Sequence, residues 1–534
     1  MRYVTKSDLK IVAKDSAYLM IGIGMMCLIP IIIDLFYVEY TALIFLIPGL
    51  ISMALGYALI KYFENRPTKK MRLKHGMMIS SFAWFWAGIV GGVIFMLATH
   101  ISYIDAVFES VSALTGTGVT IYSNVEILPH SILFFRALEQ WIGGLGVVVM
   151  VLGVLTKPGA ITSKLYNSEA REERLEPSIK STLKKTLEIY AIYTAIGIIL
   201  YVLAGMPFFD SICNTFTIIS TGGMNVKNAN MGYYQSDLIY FITIVLMILG
   251  ATSFLVHYNI IKSKKGKSLI EGLQLRRKAL IEELKSREKP LTEVLKLRGK
   301  ALIEELKSRG KALIEDLQFK VIISVIAFVT LMLYFLTNIV PMEILFTVVS
   351  AITTTGASVS PITAMASWPS FMIICLMCLM LTGGSNGSTV GAIKLYRMIT
   401  FFKGIYKHVR EILSPEGRVM IIKINGNKIP EKAISQSGNY ITLYLMFIMF
   451  TWALFCLFGY DPFNSLFTAI SLQGNNGLEL GIINTSLNPI LKVVCMIDMW
   501  TGRLEIYPVL ISARAFFEVF KKIKFIINKN SNID

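Results

Sequence analysis

Ten long apolar runs are the feature that most constrains how this chain can fold. They lie at about 17–37, 41–62, 77–99, 131–155, 187–205, 237–261, 320–338, 370–396, 438–459 and 487–512. A helix that crosses a bilayer needs about 20 apolar residues, and each run is close to or above that length. Hydrophobic residues make up 54% of the 534-residue chain and charged residues only 16%, which argues against an ordinary soluble protein. The runs therefore predict an all-α, polytopic membrane protein.

Positive charge is distributed unevenly between the runs. The formal net charge is +17, and Lys and Arg cluster at 61–74, 157–185, 262–320, 394–433 and 520–529. The connections 101–130, 338–369 and 459–488 contain neither residue. This asymmetry is the positive-inside pattern, so we interpret the charge as a signal of membrane orientation rather than of nucleic-acid binding. It predicts a multi-pass protein of the cell membrane with both termini in the cytoplasm.

The cysteine and histidine content gives no sign of a redox or metal site. All six cysteines lie in or beside apolar runs, and Cys375 and Cys378 form a C-x-x-C without His or charge nearby. We interpret them as packing residues. The five histidines are scattered. We therefore expect no catalytic residues, no enzyme activity and no cofactor in this chain.

After two leading runs, one unit occurs four times. Each unit contains a run, a short semi-apolar segment, a Gly-containing stretch and a second run. The short segments lie at 105–114, 209–219, 342–353 and 462–472. Because they are too short to cross a bilayer, we predict that they are re-entrant helices. The predicted architecture is four helix–pore-helix–helix pseudo-repeats around one pore.

These boundaries divide the chain into eight regions. The leading helices occupy 1–70, the four pore repeats 71–160, 161–262, 320–400 and 438–518, and the cytoplasmic insert, loop and tail 263–319, 401–437 and 519–534. The insert carries an 11-residue repeat that starts at Lys267, Lys278, Lys289, Lys300 and Lys311. This period fits a nearly straight amphipathic helix, which Pro290, Gly299 and Gly310 interrupt. A mobile solvent-facing insert and a coiled-coil or partner-docking segment are both open interpretations.

The four Gly-containing stretches predict an ion pathway. Non-helical backbone at membrane depth must face protein or a water-filled cavity. Glycine lets carbonyl oxygens turn towards one axis, where they can replace the hydration shell of a cation. Aligned on one glycine each, the stretches are Gly116, Thr117, Gly118; Ser220, Thr221, Gly222; Thr354, Thr355, Gly356; and Asn475, Asn476, Gly477. We predict that these residues bind K⁺, although a carbonyl ring alone does not distinguish K⁺ from Na⁺.

Four further motifs accompany the stretches: QWIGGLGVVV, GGSNGSTVGAIK, INGNKIP and GRLEIYPVL. On these residues the chain resembles the Trk/Ktr/HKT superfamily of potassium transporters, in particular the Trk-type membrane subunit with two extra N-terminal spans. The resemblance covers nearly the whole chain except the 11-residue repeats. It implies potassium uptake by a homodimer on a cytoplasmic ring of nucleotide-binding regulatory subunits. A Na⁺-permeable or Na⁺/H⁺-coupled transporter of the same architecture is the alternative.

The resemblance also implies a gate below the filter. Its loop comprises Gly383, Gly384, Ser385, Asn386, Gly387 and Ser388. A phosphate-binding loop is a poorer interpretation because the G-x-x-x-x-G-K-[ST] pattern is absent. Arg503, near the middle of the last run, matches an arginine that opposes cation passage in the family. The alternative for Arg503 is an ion pair with Asp498 or Glu505.

Two acids, Glu109 and Glu479, lie near the predicted outer mouth of the pore. They either concentrate cations or form a solvated rim.

Two other classes of function are less consistent with the sequence. A secondary transporter of another class predicts intramembrane carboxylates and inverted repeats, whereas the spans here contain few acids and the repeats share one orientation. A membrane-embedded enzyme needs a convergent nucleophile, base or metal set, which the sequence does not show.

Overall fold

The computed structural model describes residues 5–64, 72–146, 179–261, 313, 315–415, 420–424 and 427–530. The 11-residue repeats up to residue 310 lie outside this part of the chain, so both interpretations of the insert stay open. About three quarters of the described residues are helical.

The chain has two leading elements followed by four pseudo-repeats, as the sequence predicts. The first leading element consists of helices Lys6–Cys27 and Ile31–Tyr37, which together make one candidate span, and the second is helix Ala42–Phe63. The outer helices of the repeats are Leu73–Thr99, Ile179–Leu203, Leu317–Leu336 and Glu431–Leu457. The pore helices are Tyr103–Thr115, Phe208–Ile219, Pro341–Ile352 and Pro462–Gly474, and the inner helices are His130–Leu145, Asp237–Ala251, Ser370–Thr382 and Pro489–Arg503.

Smaller elements follow or interrupt the inner helices. Continuation helices run over Phe254–Ile261, Leu395–Ile412 and Tyr507–Asn530. Short helical turns occur at Asn230–Tyr234 and Ile362–Ala366. A two-stranded antiparallel hairpin joins Lys423–Ile424 to Asn427–Lys428, with Lys423 opposite Lys428 and Ile424 opposite Asn427.

Within the described ranges, six helices are long and apolar enough to cross a membrane. They are Asp8–Tyr37, Ala42–Phe63, Leu73–Thr99, Ser181–Leu203, Leu317–Leu336 and Glu431–Leu457. The second inner helix and its continuation make a seventh candidate, bent by 105° between them. The molecule is therefore a multi-pass membrane protein.

The inner helices are interrupted in a way that the apolar runs do not show. The runs at 237–261 and 487–512 are predicted as continuous spans, but the helices stop at Ala251 and Arg503 before continuing. The first inner helix stops at Leu145, where Gly146 has φ +89°. A break is expected only in the third repeat, and there it extends from residue 383 to 394.

A glycine near the end of each inner helix explains the interruptions. Gly143, Gly250, Gly383 and Gly502 each lie fourteen residues after the N-cap of their helix. A Cβ on Gly143 would lie 1.7 Å from the carbonyl oxygen of Leu114, and one on Gly502 2.1 Å from that of Gln473. Both oxygens belong to the last turn of a pore helix. The inner helices can approach the pore helices this closely only because a side chain is missing.

The pore helices are largely buried within the molecule. Side chains at their N-termini favour the positions at which the helices begin. Phe108, Phe346 and Phe467 are fully buried on three of them. Ser102 caps the first by accepting from the Asp105 N–H, and Asp461 caps the fourth by accepting from Asn464. These side chains satisfy N–H groups that a helix cannot pair internally.

Glu39 connects the leading helices to the first repeat. Its carboxylate accepts from the backbone N–H groups of His130 at 2.6 Å and Ser131 at 2.9 Å, at the start of the first inner helix. Burial opposes ionisation, but these hydrogen bonds hold the pKa of Glu39 below its usual value. A carboxylate at a helix N-terminus is favoured by the helix dipole.

Helices Lys6–Cys27 and Ala42–Phe63 pack through small residues. A Cβ on Gly24 would lie 2.5 Å from the Gly49 carbonyl oxygen, and one on Gly56 2.6 Å from that of Ala17. Between them the Ser52 hydroxyl donates to the Met20 carbonyl at 2.8 Å. Small residues allow this close approach, which supplies van der Waals contact where lipid offers no hydrophobic driving force.

We expect Gly56→Leu to destabilise the folded protein by about 1–3 kcal/mol, because the new side chain cannot fit between the two helices. Thermal unfolding in detergent measures the effect. Gly438→Leu is the matched control, since the only neighbours of a Cβ there are Phe401 ring atoms at 3.9 Å. Equal melting temperatures for both variants would contradict tight packing at Gly56.

Candidate functional site

Each pore helix ends at a residue with left-handed backbone angles. These residues are Gly116, Thr221, Thr354 and Asn475, with φ between +50° and +70°. The next N–H in each stretch donates to a carbonyl five residues earlier: Thr117 to Ser112, Gly222 to Thr217, Thr355 to Ser350 and Asn476 to Ser471. The four stretches therefore share one backbone conformation.

This shared conformation corrects the sequence alignment of the second stretch. The glycines that follow in the common register are Gly118, Gly223, Gly356 and Gly477, with φ from +70° to +90°. The sequence aligns Gly222 at this position, preceded by Ser220 and Thr221. The structure shifts the stretch by one residue, to Thr221, Gly222 and Gly223. Two adjacent glycines made both registers compatible with the sequence, and only the hydrogen bonds distinguish them.

The four glycines close a ring. A Cβ on Gly118 would lie 2.0 Å from the Gly222 carbonyl oxygen in the second stretch. An added Cβ would likewise lie 1.9 Å from the Thr355 carbonyl oxygen at Gly223, 2.0 Å from the Asn476 oxygen at Gly356, and 2.1 Å from the Thr117 oxygen at Gly477. Each stretch thus meets the next one, and the fourth meets the first. No side chain can be accommodated at these four positions without moving a carbonyl group of the neighbouring repeat.

One cavity lies against the ring. Its volume is about 360 Å³, and all four ring glycines line it together with the residues that follow them in each stretch. Gly223 lines the cavity and Gly222 does not, which agrees with the corrected register.

Hydroxyl groups of the pore helices hold the stretches. Ser112 donates to the Val119 carbonyl at 2.5 Å, and Ser350, at the equivalent position of the third repeat, donates to Ala357 at 2.7 Å. Ser471 of the fourth repeat accepts from the Gly477 N–H at 3.1 Å. These bonds fix backbone that has no secondary structure of its own.

The fourth stretch replaces threonine by asparagine, and both side chains cross to other repeats. The Asn475 amide donates to the Thr117 hydroxyl at 2.9 Å and to the Met499 carbonyl at 2.8 Å. The Asn476 amide donates to the Ala351 carbonyl at 2.9 Å. The asparagines therefore connect the fourth repeat to the first and third. The sequence shows their departure from the Thr-Gly pattern but not this role.

Glu109 does not form a solvated rim. It is fully buried, and its carboxylate accepts from Arg136 Nε at 2.8 Å and from the Ile121 N–H at 2.9 Å. Arg136 is buried as well, so the two charges form an internal ion pair, and Arg136 also lines the cavity. Glu479 instead lines the cavity and accepts from the Ile483 N–H at 3.2 Å.

The loop of the third repeat contacts the ring from residues beyond the predicted segment. Gly391 N–H donates to the Thr354 hydroxyl at 3.1 Å, and Ala392 N–H donates to the Gly474 carbonyl at 3.1 Å. The predicted residues 383–388 contact the second repeat instead, where Ser385 N–H donates to the Ala251 carbonyl at 3.0 Å. The loop therefore occupies the space between two interrupted inner helices and the pore-helix ends.

Arg503 reaches from the fourth inner helix across to the first repeat and the loop. Its guanidinium donates to the carbonyl oxygens of Gly143 at 2.6 Å, Gly144 at 2.8 Å and Thr389. Glu505, one of the acids considered for an ion pair, contacts Lys394 at 2.9 Å and also Arg397. The arginine thus connects the loop to the ends of two inner helices.

Metal-ligating side chains are not grouped in the described residues. No cluster of three or more His, Cys, Asp or Glu is found there. The six cysteines, including Cys375 and Cys378, are free thiols. The polar groups around the ring are carbonyls, hydroxyls and amides, which can surround an alkali cation without a fixed charge.

Comparisons with known proteins agree with this architecture. The family described as TrkH, cation transport protein, matches residues 45–519. An uncharacterised cation transporter of Methanocaldococcus jannaschii is 33% identical over 98% of this chain and 99% of its own length. The Trk system potassium uptake protein TrkH of Escherichia coli is 27% identical over 91% of this chain and 94% of its own.

A solved structure shares the fold. The crystal structure of the potassium transporter TrkH from Vibrio parahaemolyticus superposes with a TM-score of 0.77 at 24% identity, and it covers 94% of this chain and 98% of that one. Four pseudo-repeats, two leading elements and the match over 45–519 lead to one conclusion: the chain belongs to the TrkH family of cation transport proteins, the Trk-type membrane subunits of the Trk/Ktr/HKT superfamily.

Proposed function

We propose that this protein takes up potassium ions across the cell membrane through the closed ring of four stretches. The main support for this proposal is the ring, because all four repeats meet there and its glycines and carbonyl groups are uncharged. Carbonyl oxygens replace the hydration shell of a cation. The pore helices end at the ring, so their C-terminal partial negative charges favour a cation there. Relatives named potassium uptake proteins support K⁺ as the ion.

The filter in this proposal consists of the residues that precede and include the ring glycines. They are Gly116, Thr117, Gly118; Thr221, Gly222, Gly223; Thr354, Thr355, Gly356; and Asn475, Asn476, Gly477, with Ser220 at the end of the second pore helix. Glycine at all four ring positions favours K⁺ in the family. A Na⁺-permeable or Na⁺/H⁺-coupled transporter is the second candidate, because the asparagines make the fourth stretch different.

The gate in this proposal is the loop 383–394 together with Arg503. Ala392 and Lys394 have left-handed backbone angles, with φ of +58° and +73°. Such strain is often held at segments that switch between conformations. Arg503 places a positive charge beside the loop, where it opposes cation passage until the loop moves.

The assembly in this proposal follows the family. The chain forms a homodimer and binds a cytoplasmic ring of nucleotide-binding regulatory subunits. Both termini are cytoplasmic, because the basic connections alternate with connections that lack Lys and Arg or, at 205–236, contain only Lys227. Membrane lipid surrounds the exposed apolar faces of the outer helices, such as Phe328 and Phe335 of the third repeat.

We expect Gly118→Ser to raise Na⁺ permeation relative to K⁺ by about tenfold, the effect of roughly 1–2 kcal/mol of strain and displacement at the ring. Paired K⁺ and Na⁺ fluxes in liposomes measure the ratio. Gly205→Ser is the matched control: φ there is +91°, but no atom of the described residues lies within 4 Å of an added Cβ. An unchanged K⁺ to Na⁺ ratio in Gly118→Ser would show that Gly118 does not line the filter.

We expect Arg503→Ala to increase K⁺ flux severalfold in liposomes without the regulatory ring, because the barrier charge and its bonds to the loop are both lost. Arg514→Ala serves as control, since Arg514 is largely exposed and pairs with Glu518 on the same helix. Normal expression with wild-type flux would instead favour a purely structural role for Arg503.

We expect deletion of residues 383–388 to increase flux while the K⁺ to Na⁺ ratio stays the same. The deletion removes the contacts with the second repeat, whereas the ring itself keeps its glycines. Size-exclusion profiles establish that the variant is folded. Loss of flux in folded protein would argue that the segment supports the pathway rather than closes it.

A further inference from the structure

Gln140 belongs to the QWIGGLGVVV motif, whose chemistry neither the ring nor the gate explains. It lies on the first inner helix and is fully buried. Its Nε2 donates to the Gly222 carbonyl at 2.8 Å, and its Oε1 accepts from the Met224 N–H at 3.1 Å. One side chain of the first repeat therefore holds the second stretch on both sides of Gly223.

The two hydrogen bonds define the orientation of the amide. A carbonyl can only accept and an N–H can only donate, so the reversed amide would lose both bonds. The side chain also lies close to the backbone, since a Cβ on Gly222 would meet the amide carbon of Gln140 at 2.5 Å. The second stretch can move at Gly222 only if Gln140 moves with it.

Among the residues that the structure describes, only the first repeat has this arrangement. Gln140 is the eleventh residue after the N-cap of its helix, and the equivalent residues are Met247, Met380 and Met499. All three methionines are fully buried. The ring carbonyls equivalent to Gly222 are those of Thr117, Thr355 and Asn476, and in the described part of the chain none of them accepts a hydrogen bond from a side chain. The ring is thus chemically asymmetric.

We propose that Gln140 is a positioning residue that sets ion specificity by holding the Gly222 carbonyl and the Met224 N–H in place. The inference rests on the proposed potassium function. A carbonyl that is restrained by a buried donor cannot move inward to contact a smaller ion. In the other three stretches the hydroxyls of Ser112, Ser350 and Ser471 bind neighbouring backbone groups rather than the ring carbonyl itself. Among the described residues, the second stretch is therefore the one whose ring carbonyl accepts directly from a side chain.

The test is Gln140→Met, which installs the residue of the other three repeats. K⁺ and Na⁺ fluxes are measured on the same liposomes. We expect the K⁺ to Na⁺ ratio to fall by about two- to tenfold, because the variant loses both hydrogen bonds and the bond to the ring carbonyl alone accounts for a change of this size. Met247→Leu, at the equivalent position of the second repeat, is the control and keeps the wild-type ratio because its volume is nearly conserved.

Gln140→Glu provides a second variant of nearly the same shape. The carboxylate can still accept from Met224 but places an acceptor against the Gly222 carbonyl, so we expect the ratio to fall here too.

A further measurement needs no flux: K⁺ at a fixed concentration should raise the melting temperature of the detergent-solubilised wild type more than Na⁺ does. This difference should shrink in both variants.

The outcomes separate the inference from the function on which it rests. A K⁺-preferring wild type with an unchanged ratio in both variants overturns the role of Gln140 and leaves the potassium function intact. Equal losses of K⁺ and Na⁺ flux show a structural role only and also overturn it. A wild type without K⁺ preference overturns the proposed function, and the inference falls with it.

Discussion

The fold depends on backbone carbonyl groups that approach positions without a side chain. At the ring, four glycines each face the carbonyl oxygen of the next repeat at a distance that no Cβ could tolerate. One layer away, Gly143 and Gly502 let inner helices approach the last turns of the pore helices in the same way. Non-helical backbone inside a membrane needs protein or water around it, and these approaches provide the protein. The ring, the breaks in the inner helices and the loop are consequences of this constraint.

The interrupted inner helices bring Arg503 and the loop of the third repeat together. Because the helices stop near the pore-helix ends, free carbonyls are available at Gly143 and Gly144, and Arg503 donates to both. The loop of the third repeat fills the remaining space and contacts Thr354 through Gly391. The loop therefore contacts both the third Gly-containing stretch and Arg503. A second arginine, Arg136, is held by Glu109 in an internal ion pair and lines the cavity against the ring.

Much of this organisation could be predicted from the sequence, because its signals are local. Apolar length predicts the outer helices, and the short semi-apolar segments between the runs predict the pore helices to within a few residues. Signals that depend on partners in space were missed. Glu109 was a candidate for the outer rim, but its partner Arg136 is 27 positions later. The breaks at Ala251 and Arg503 are hidden within continuous apolar runs, since hydropathy does not report a close helix approach.

By itself, the sequence determined the class of protein, the four-repeat architecture and the presence of one Gly-containing stretch in each repeat. Periodicity and apolar length are enough for these because they are properties of neighbouring residues along the chain. The tertiary structure decided the register of the second stretch, where Gly223 rather than Gly222 faces its neighbour, and the residues that hold each stretch. The register follows from backbone hydrogen bonds such as the one from the Gly222 N–H to the Thr217 carbonyl, which two adjacent glycines leave undecided in the sequence. The contacts between repeats join residues far apart in the chain, as between Gln140 and Gly222, and a linear pattern carries no information on which of these groups meet.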